Sequence, residues 1–293
     1  MGVHGLNTLF NKYCKHCVKN SSLYNYKNKT IVIDINNCLY RFLKNNTLIP
    51  SLYEFCNILK FYNITPIFVF DGFPPNEKLD KINQRREERC EAIDMCQRLK
   101  LEYEKTKDKA LLKKIEVLTK KTMKITNKNF KEVKTLLTLL GYKYIIAEGE
   151  ADKLCASMVI HDEAYACLSE DNDLFVYGCP RVIRYLSLIK HTFQEYELDV
   201  LLNSLNVTFE QFQMLCILSG TDYNTNNIKT NKNINHYYNN YLNNKISISN
   251  TNKVKNIKEL FTLLKKENYE YRTFAIENIS LKEFLKDYNF IFI

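Results

Sequence analysis

The stretch TIVIDINNCLYRFL, residues 30–43, holds a β-branched apolar run, one acidic residue and then a helical pattern. Its first part, TIVIDI (30–35), predicts a strand buried on both faces, because its apolar residues do not alternate with polar ones. Asp34 lies near the end of this strand. The same order of strand, acid and helix returns further along the chain, and this repetition decides the fold.

Further short runs rich in β-branched or aromatic residues predict more strands, with helical patterns between them. One pattern places Phe130, Val133, Leu137 and Leu140 on a single helix face, and Gly141 is suited to end that helix. Apolar strands that alternate with helices are typical of an α/β fold with a central, parallel-rich sheet flanked by helices. The further predicted strands are PIFVFD (66–71), YKYIIA (142–147), AYACLS (164–169) and RVIRYL (181–186).

Acidic residues follow the ends of the first four predicted strands. The carboxyl ends of parallel strands border one crevice of an open sheet, so we expect these side chains to converge. Each acid taken alone is more often a helix N-cap or a turn residue, and we interpret Glu148 and Glu170 as extra acids beside the group. The acids are Asp34, Asp71, Glu148, Glu150, Asp152, Glu170, Asp171 and Asp173.

Carboxylates gathered in a crevice repel one another, and a multivalent cation removes that repulsion. The predicted ligand atoms are all oxygen, without a convergent His or Cys, which favours Mg²⁺ or Mn²⁺ over zinc. Asp171 and Asp173 are two apart, so in an extended segment both can point into one site. Two such ions about 3.5–4 Å apart are a recurring device for phosphodiester hydrolysis, although acidic clusters also build phosphatases.

The distribution of basic residues favours a nucleic-acid substrate. The chain has 42 Lys and Arg against 33 Asp and Glu, a net charge of +9. Residues 98–134 hold 13 basic and 5 acidic residues, a net charge of +8, and residues 223–293 hold 11 and 6, a net charge of +5. Cationic segments suit an anionic polymer, because contacts to phosphate release counterions. The alternative is a solvated helix face, which most charged runs form.

Composition predicts an intracellular protein. The longest apolar run, ITPIFVF (64–70), is far shorter than a membrane span, and the first residues lack a secretory pattern. The ten cysteines are scattered, and we expect reduced thiols. Cys14 and Cys17 have zinc-ligand spacing, but no second such pair completes a site, and small apolar side chains beside a helix are the favoured interpretation.

Six motifs, in this order along residues 1–223, resemble those of the flap endonucleases of the XPG/Rad2 family. The resemblance implies a PIN-like nuclease fold with a helical arch from about 77 to 130 and a helical C-terminal part. The motifs are MGVHGL (1–6), IVIDINNCLYRFL (31–43), FVFDGFPPNEK (68–78), AEGEADKLCA (147–156), SEDNDLFVYG (169–178) and LCILSGTDY (215–223).

The resemblance also implies roles for individual residues. Lys78 and Arg85 match basic residues at the base of the arch that contact the reacting phosphate. Without the resemblance, the favoured interpretation of both residues is ordinary surface charge on a helix over 77–101. Tyr40 matches a residue that stacks on the base next to the cut, and its alternative is burial in the core. Gly2 matches the residue whose freed amino end approaches the site.

The resemblance further implies that seven carboxylates would hold two Mg²⁺ ions, replaceable by Mn²⁺. Only the resemblance singles out Asp222 among them. The seven are Asp34, Asp71, Glu150, Asp152, Asp171, Asp173 and Asp222.

We divide the chain into an N-terminal nuclease region with the start of the arch (1–100), a basic arch or cap (101–134), an internal nuclease region (135–222) and a degenerate hairpin and C-terminal region (223–293). The family usually has a glycine-containing hairpin that holds K⁺ after the last motif. Residues 224–245 contain no glycine, so we expect the K⁺ site to be absent. Binding of the DNA duplex would then depend on Lys229, Lys232 and Lys245. The ending FLKDYNFIFI is unlike a sliding-clamp-binding peptide.

The expected activity is Mg²⁺-dependent, structure-specific cleavage of 5′ flaps or branched DNA in replication, repair or recombination, by two-metal hydrolysis that leaves a 5′-phosphate and a 3′-hydroxyl. We expect a compact, monomeric relative, cellular or viral, acting in the nucleus or at a cytoplasmic replication site. The alternatives are a 5′→3′ exonuclease of the same family, a ribonuclease, and a catalytically dead module that binds branched DNA. The presence of all seven expected acids argues against the dead module.

Overall fold

The computed structural model describes residues 2–43, 47–223, 233–243, 258–261, 268–276 and 279–290. Their strands are β1 (Lys19–Ser22), β2 (Thr30–Asp34), β3 (Thr65–Phe70), β4 (Tyr144–Ile146), β5 (Ala166–Leu168), β6 (Arg181–Ser187), β7 (Thr192–Glu197) and β8 (Tyr271–Arg272). Their α-helices are α1 (Leu6–Tyr13), α2 (Ile35–Leu43), α3 (Leu48–Phe61), α4 (Leu79–Thr106), α5 (Ala110–Thr122), α6 (Asn127–Leu139), α7 (Ala151–Ile160), α8 (Asp173–Val176), α9 (Leu198–Leu205), α10 (Phe209–Ser219), α11 (Ile234–Leu242) and α12 (Leu281–Lys286).

The described strands form one mixed sheet in the order β1-β7-β6-β5-β2-β3-β4-β8. The central strands β6, β5, β2, β3 and β4 are parallel to one another, and β1, β7 and β8 pair antiparallel at the edges. This confirms the predicted α/β class with a parallel-rich sheet, and each predicted strand forms close to its expected bounds. The edge strands were not predicted, because β1 is polar throughout and β8 has two residues.

Alternate side chains of the central strands enter two apolar cores, one on each face of the sheet. On β2, Val32 packs into the core formed with α1, α7 and α10, and Ile31 and Ile33 pack into the core formed with α2, α3 and α6. On β3, Val69 and Phe68 divide between the two cores in the same way. Because both faces are covered, the strands are apolar at consecutive positions, as the sequence indicated.

The helices α4 and α5 form a hairpin that buries few side chains. The 28 residues of α4 bury Ala92 and Cys96, and α5 buries Leu111. The predicted arch over about 77–130 corresponds to this hairpin over 79–122, and the helix expected over 77–101 continues to Thr106. The boundary placed at 134 falls within α6, whose Val133 is fully buried in the sheet core.

The described residues after 223 pack against the sheet and the two cores described above. In α11, Ile234 and Tyr238 are buried in the core beside α1. The strand β8 pairs with β4, and Phe284 of α12 enters the opposite core. The expectation that the K⁺-binding hairpin is absent falls largely on residues 224–232 and 244–257, which lie outside the described residues, as do Lys229, Lys232 and Lys245.

Two further expectations concern the N-terminal cysteines and the membrane. Cys14 and Cys17 are both buried in the apolar core beside α1, in agreement with the favoured interpretation. Of the helices that the structure describes, none has the length and apolar character to cross a membrane.

Candidate metal centre and substrate cleft

Seven carboxylates meet at the edge of the sheet where the parallel strands end. The neighbouring strands β2, β3 and β5 run in the same direction, so the residues that end or follow them lie side by side. Two helices bring the remaining members from one face of the sheet. Asp34 ends β2, Asp71 follows β3, Glu150 and Asp152 begin α7, Asp171 and Asp173 follow β5, and Asp222 follows α10.

A cavity of about 1420 Å³ opens at this edge, between the sheet and the α4/α5 hairpin. Five of the carboxylates line it, together with Tyr40, Lys78 and Arg85. Asp173 lies behind the lining and is fully buried. The volume exceeds the range of about 300–1000 Å³ that is usual for small-molecule pockets, so it is suited to part of a polymer.

Hydrogen bonds orient the carboxylates that end or follow the strands. The Ser169 hydroxyl donates to Asp34 Oδ2 at 2.8 Å, and the Asn37 backbone amide donates to Asp34 Oδ1 at 3.3 Å. The backbone amide of Ala151, in the first turn of α7, donates to Asp71 Oδ1 at 2.8 Å, and the Asn36 side chain donates to the other oxygen of Asp71. The N-terminus of α7 therefore stabilises one of these negative charges.

Crowding and burial disfavour the charged form of several of these groups. Burial, and then the charge of Asp71, raise the pKa of Asp34 to about 7. Burial followed by the charge of Glu150 raises the pKa of Asp152, and burial followed by the charge of Asp171 raises the pKa of Asp173. Within the described part of the chain, neither carboxylate oxygen of Asp173 receives a hydrogen bond, although both are buried. Such a carboxylate is costly unless a cation accompanies it.

The donor set fits a hard divalent cation such as Mg²⁺. All seven candidates present oxygen, and Asp173, whose oxygens receive no hydrogen bond from the described residues, is close to Asp171, Asp222 and Glu150. Among the described residues, no three His, Cys, Asp or Glu side chains are arranged to hold an ion as they stand. Two of the carboxylates, Glu150 and Asp222, pair instead with side chains of α4 and of the 3-10 helix before it.

Those pairs place Lys78 and Arg85 against the carboxylates. Lys78 Nζ donates to Glu150 and lies 3.8 Å from Asp222 Oδ2, and Arg85 Nη2 lies 2.6 Å from the same Asp222 oxygen. Burial alone would lower the pKa of Lys78, but the charges of Glu150 and then Asp152 raise it overall. Lys78 is 8% exposed, so the alternative of ordinary surface charge does not hold for it.

Tyr40 and Gly2 also lie at this edge. Tyr40, on α2, is 41% exposed and lines the cavity, so it is not buried in the core. Gly2 has a φ of +82°, and a Cβ added there would lie 2.5 Å from Asp173 Oδ1 and 2.6 Å from Asp171 Oδ1. Only glycine allows the backbone to approach these carboxylates so closely. Glu148 and Glu170, which we interpreted as extra acids beside the ligand group, have different surroundings. Glu148 is exposed, and Glu170 accepts a hydrogen bond from the Tyr185 backbone amide.

Three polar residues of the site were not singled out in the sequence: Asn36, Ser169 and Tyr223. The Tyr223 hydroxyl donates to Glu150, and Lys78 Nζ lies 5.6 Å from the centroid of its ring. Each of the three lies within two residues of a predicted ligand, and that proximity is the signal that could have identified them. Their contacts are long-range, so the sequence did not predict which carboxylate each would meet.

The pKa of Asp34 leads to a prediction about stability. The free energy of unfolding of the metal-free protein is expected to fall by about 2 kcal/mol or more between pH 5 and pH 8. The folded-state pKa of about 7 lies above the usual Asp value, so the folded state binds more protons in this window and loses stability as the pH rises through 7. Urea unfolding in EDTA at several pH values measures this.

The control for that experiment is a matched pair of substitutions. Asp34→Asn should make the pH dependence shallower, whereas Asp162→Asn should leave it unchanged, because Asp162 is exposed and its φ of +58° suits Asn. Added Mg²⁺ should stabilise the wild type more at pH 8 than at pH 5, since it binds deprotonated carboxylates. Identical slopes for the wild type and Asp34→Asn would show that Asp34 does not titrate in this way.

Comparison with known proteins identifies related sequences and folds. The model of the XPG N-terminal domain matches residues 1–92, and that of the XPG I-region matches residues 141–222. Flap endonuclease 1-A of Xenopus laevis is 31% identical over 242 residues, which cover 76% of this chain and 61% of the relative. The chain thus spans about three fifths of the length of such relatives.

Two solved structures share the fold. Flap endonuclease-1 from Methanococcus jannaschii matches with a TM-score of 0.59 and 25% identity, over 86% of this chain and 84% of that one. The catalytic core of Rad2 in complex with DNA substrate matches with a TM-score of 0.64 and 20% identity, over 98% and 95% of the two chains. The Rad2 likeness concerns the fold alone.

Proposed function

The chain belongs to the XPG/Rad2 family of nucleases, and from that membership we propose that it is a divalent-metal-dependent endonuclease that cleaves DNA carrying 5′ flaps or related branches. Such an activity serves DNA replication, repair or recombination. The flap endonuclease relatives support flap-bearing DNA as the substrate.

One observation carries the proposal: the carboxylate cluster and two cations meet at the foot of the α4/α5 hairpin. Lys78 and Arg85 contact Glu150 and Asp222, so their charges lie next to the candidate metal ligands. A phosphodiester in this cavity would meet ligands for divalent ions and hydrogen-bond donors together. A solvated helix face would not bury Lys78 among carboxylates.

We assign different roles in phosphodiester cleavage to the carboxylates, the two cations and Tyr40. Divalent ions held by the carboxylates would supply activation of a water molecule and stabilisation of the charge on the phosphate and leaving oxygens. Lys78 and Arg85 would donate to the non-bridging oxygens of the reacting phosphate and stabilise charge that develops there. The exposed ring of Tyr40 would stack on a base next to the scissile bond, which any base permits. The two-ion ligand set is Asp34, Asp71, Glu150, Asp152, Asp171, Asp173 and Asp222.

The inner side of the hairpin supplies further charge along the path of the strand. Arg89 and Lys121 line the cavity on this side, together with Glu88 and Glu91. The two positive charges attract the phosphate backbone without selecting a sequence. The hairpin would therefore contribute affinity, and the edge of the sheet would contribute chemistry.

The test is an incision assay on a panel of end-labelled substrates: 5′-flap DNA, nicked duplex, blunt duplex, single-stranded DNA and the matching RNA flap. We expect Mg²⁺-dependent incision of flap DNA at the junction, a 5′-phosphate on the product, and no incision in EDTA. Successive release of short products from duplex ends would indicate a 5′→3′ exonuclease instead. Incision of the RNA flap alone would indicate a ribonuclease, and binding without incision would indicate a non-catalytic module.

A further inference from the structure

The strand β6 departs from regular pairing beside the carboxylate edge. Its register with β7 shifts between Arg184 and Ser187, and Tyr185 within this bulge has a φ of +55°. A bulky residue rarely adopts this left-handed conformation, whereas Gly or Asn adopts it readily. Bulges near active sites commonly re-aim a side chain, and backbone strain of this kind persists only where surrounding contacts maintain it.

Contacts on both sides maintain the bulge. The Tyr185 backbone amide donates to Glu170 Oε1 at 2.9 Å. Arg184 is 2% exposed and donates to the Glu170 carbonyl at 2.9 Å and to Asn172 Oδ1 at 3.0 Å, which ties β6 to the segment that carries Asp171. On the other side, Arg41 of α2 donates to the Leu186 carbonyl. The bulge is therefore anchored both to the candidate metal ligands and to the helix that carries Tyr40.

The side chain that the bulge presents is a largely accessible aromatic ring. Tyr185 is 47% exposed and lines the same cavity as Tyr40 and Asp171. The guanidinium of Arg184 lies 5.0 Å from the centroid of its ring. A turn alone would be better served by Gly or Asn, so the strained backbone and the exposed ring together indicate that the ring itself is used.

We propose that Tyr185 is a second base-stacking residue of the cavity, which holds an unpaired nucleobase of the bound strand next to the site of Tyr40. The inference rests on the proposed function, because it needs a nucleic acid in the cavity. A nucleobase is the ligand class that fits, since aromatic rings stack on every base and the cavity accommodates several nucleotides. The hydrogen bond from Arg41 to Leu186 keeps the elements that carry the two rings in a fixed relation.

The test compares Tyr185→Asn with Tyr185→Phe and with the control Tyr24→Asn. Asn tolerates the left-handed backbone but has no ring, Phe keeps the ring, and Tyr24 is 68% exposed and does not line the cavity. Affinity for 5′-flap DNA in EDTA is measured by fluorescence anisotropy. We expect about 10-fold weaker binding for Tyr185→Asn and wild-type binding for the other two. Equal affinity for Tyr185→Asn and the wild type would overturn the inference.

A scan with 2-aminopurine at successive positions around the junction identifies the stacked base directly. Two quenched positions are expected in the wild type, one of which persists in Tyr40→Ala and is lost in Tyr185→Asn. A single quenched position that vanishes in Tyr40→Ala would overturn the inference, and this result does not require Tyr185→Asn to fold. Failure of the wild type to bind flap DNA would overturn the proposed function as well, whereas wild-type binding and incision with no effect at Tyr185 would overturn this inference alone.

Discussion

Replacing Asp171 and Asp173 together by Asn is expected to reduce flap incision at least about 10³-fold while leaving DNA affinity within a few-fold of the wild type. The two residues lie beside Gly2 at the carboxylate edge, and Asp173 has two buried oxygens without a hydrogen-bond donor among the described residues. Asn keeps the shape but removes the charge that would hold a divalent ion. Affinity persists because basic side chains supply it.

Single-turnover incision and DNA binding of the double variant measure this, together with its melting temperature in EDTA. That temperature should not fall, because the substitution removes two mutually repelling charges. Asp199→Asn is the matched control, since Asp199 is exposed on α9. Wild-type incision by the double variant, or incision in EDTA, would contradict the two-ion proposal.

Lys78→Ala and Arg85→Ala are each expected to slow the single-turnover rate about 10²–10³-fold, with a much smaller loss of affinity. Both cations contact carboxylates at the reacting edge, so their charge is placed for the transition state rather than for general attraction. Arg86→Ala is the neighbouring control, because Arg86 is exposed on the same helix. Single-turnover rates and binding constants are measured for all three variants.

If Lys78→Ala and Arg85→Ala lose only affinity, the two residues are ordinary backbone contacts. Lys78→Ala also leaves Glu150 without its cation in a partly buried position, so its melting temperature should fall below that of Arg86→Ala. Measuring the rate at saturating enzyme and well below that temperature separates this structural cost from the loss of catalysis.

The sequence predicted those parts of the site that depend on strand direction. Asp34, Asp71 and Asp171 follow neighbouring parallel strands, and the rule that such strands end at one edge is enough to bring them together. Asp222 follows a helix, and nothing in the local pattern indicates that α10 delivers it to the same edge. Its position depends on packing between distant segments, and only the family resemblance pointed to it.

The sequence also did not predict the edge strands or the division of the basic segment 98–134 between two parts of the fold. The edge strands β1 and β8 lack an apolar run, because an edge strand need not be buried on both faces. Residues 98–134 read as one basic segment, yet the structure divides them between the exposed hairpin and α6, whose apolar face packs against the core. The many charged residues of this segment indicate exposure to solvent. The burial of α6 depends instead on a few apolar residues, such as Val133 and Leu137.

The order of synthesis on the ribosome gives the late position of Asp222 a further consequence. The α4/α5 hairpin is built from contacts between neighbouring segments, which form rapidly. The carboxylate edge, by contrast, joins residues from 34 to 222, and β2 cannot lie at the centre of its sheet until β5 has emerged. A nascent chain therefore carries the hairpin segment long before it carries a complete set of ligands, and the site can be completed only after Asp222 has emerged.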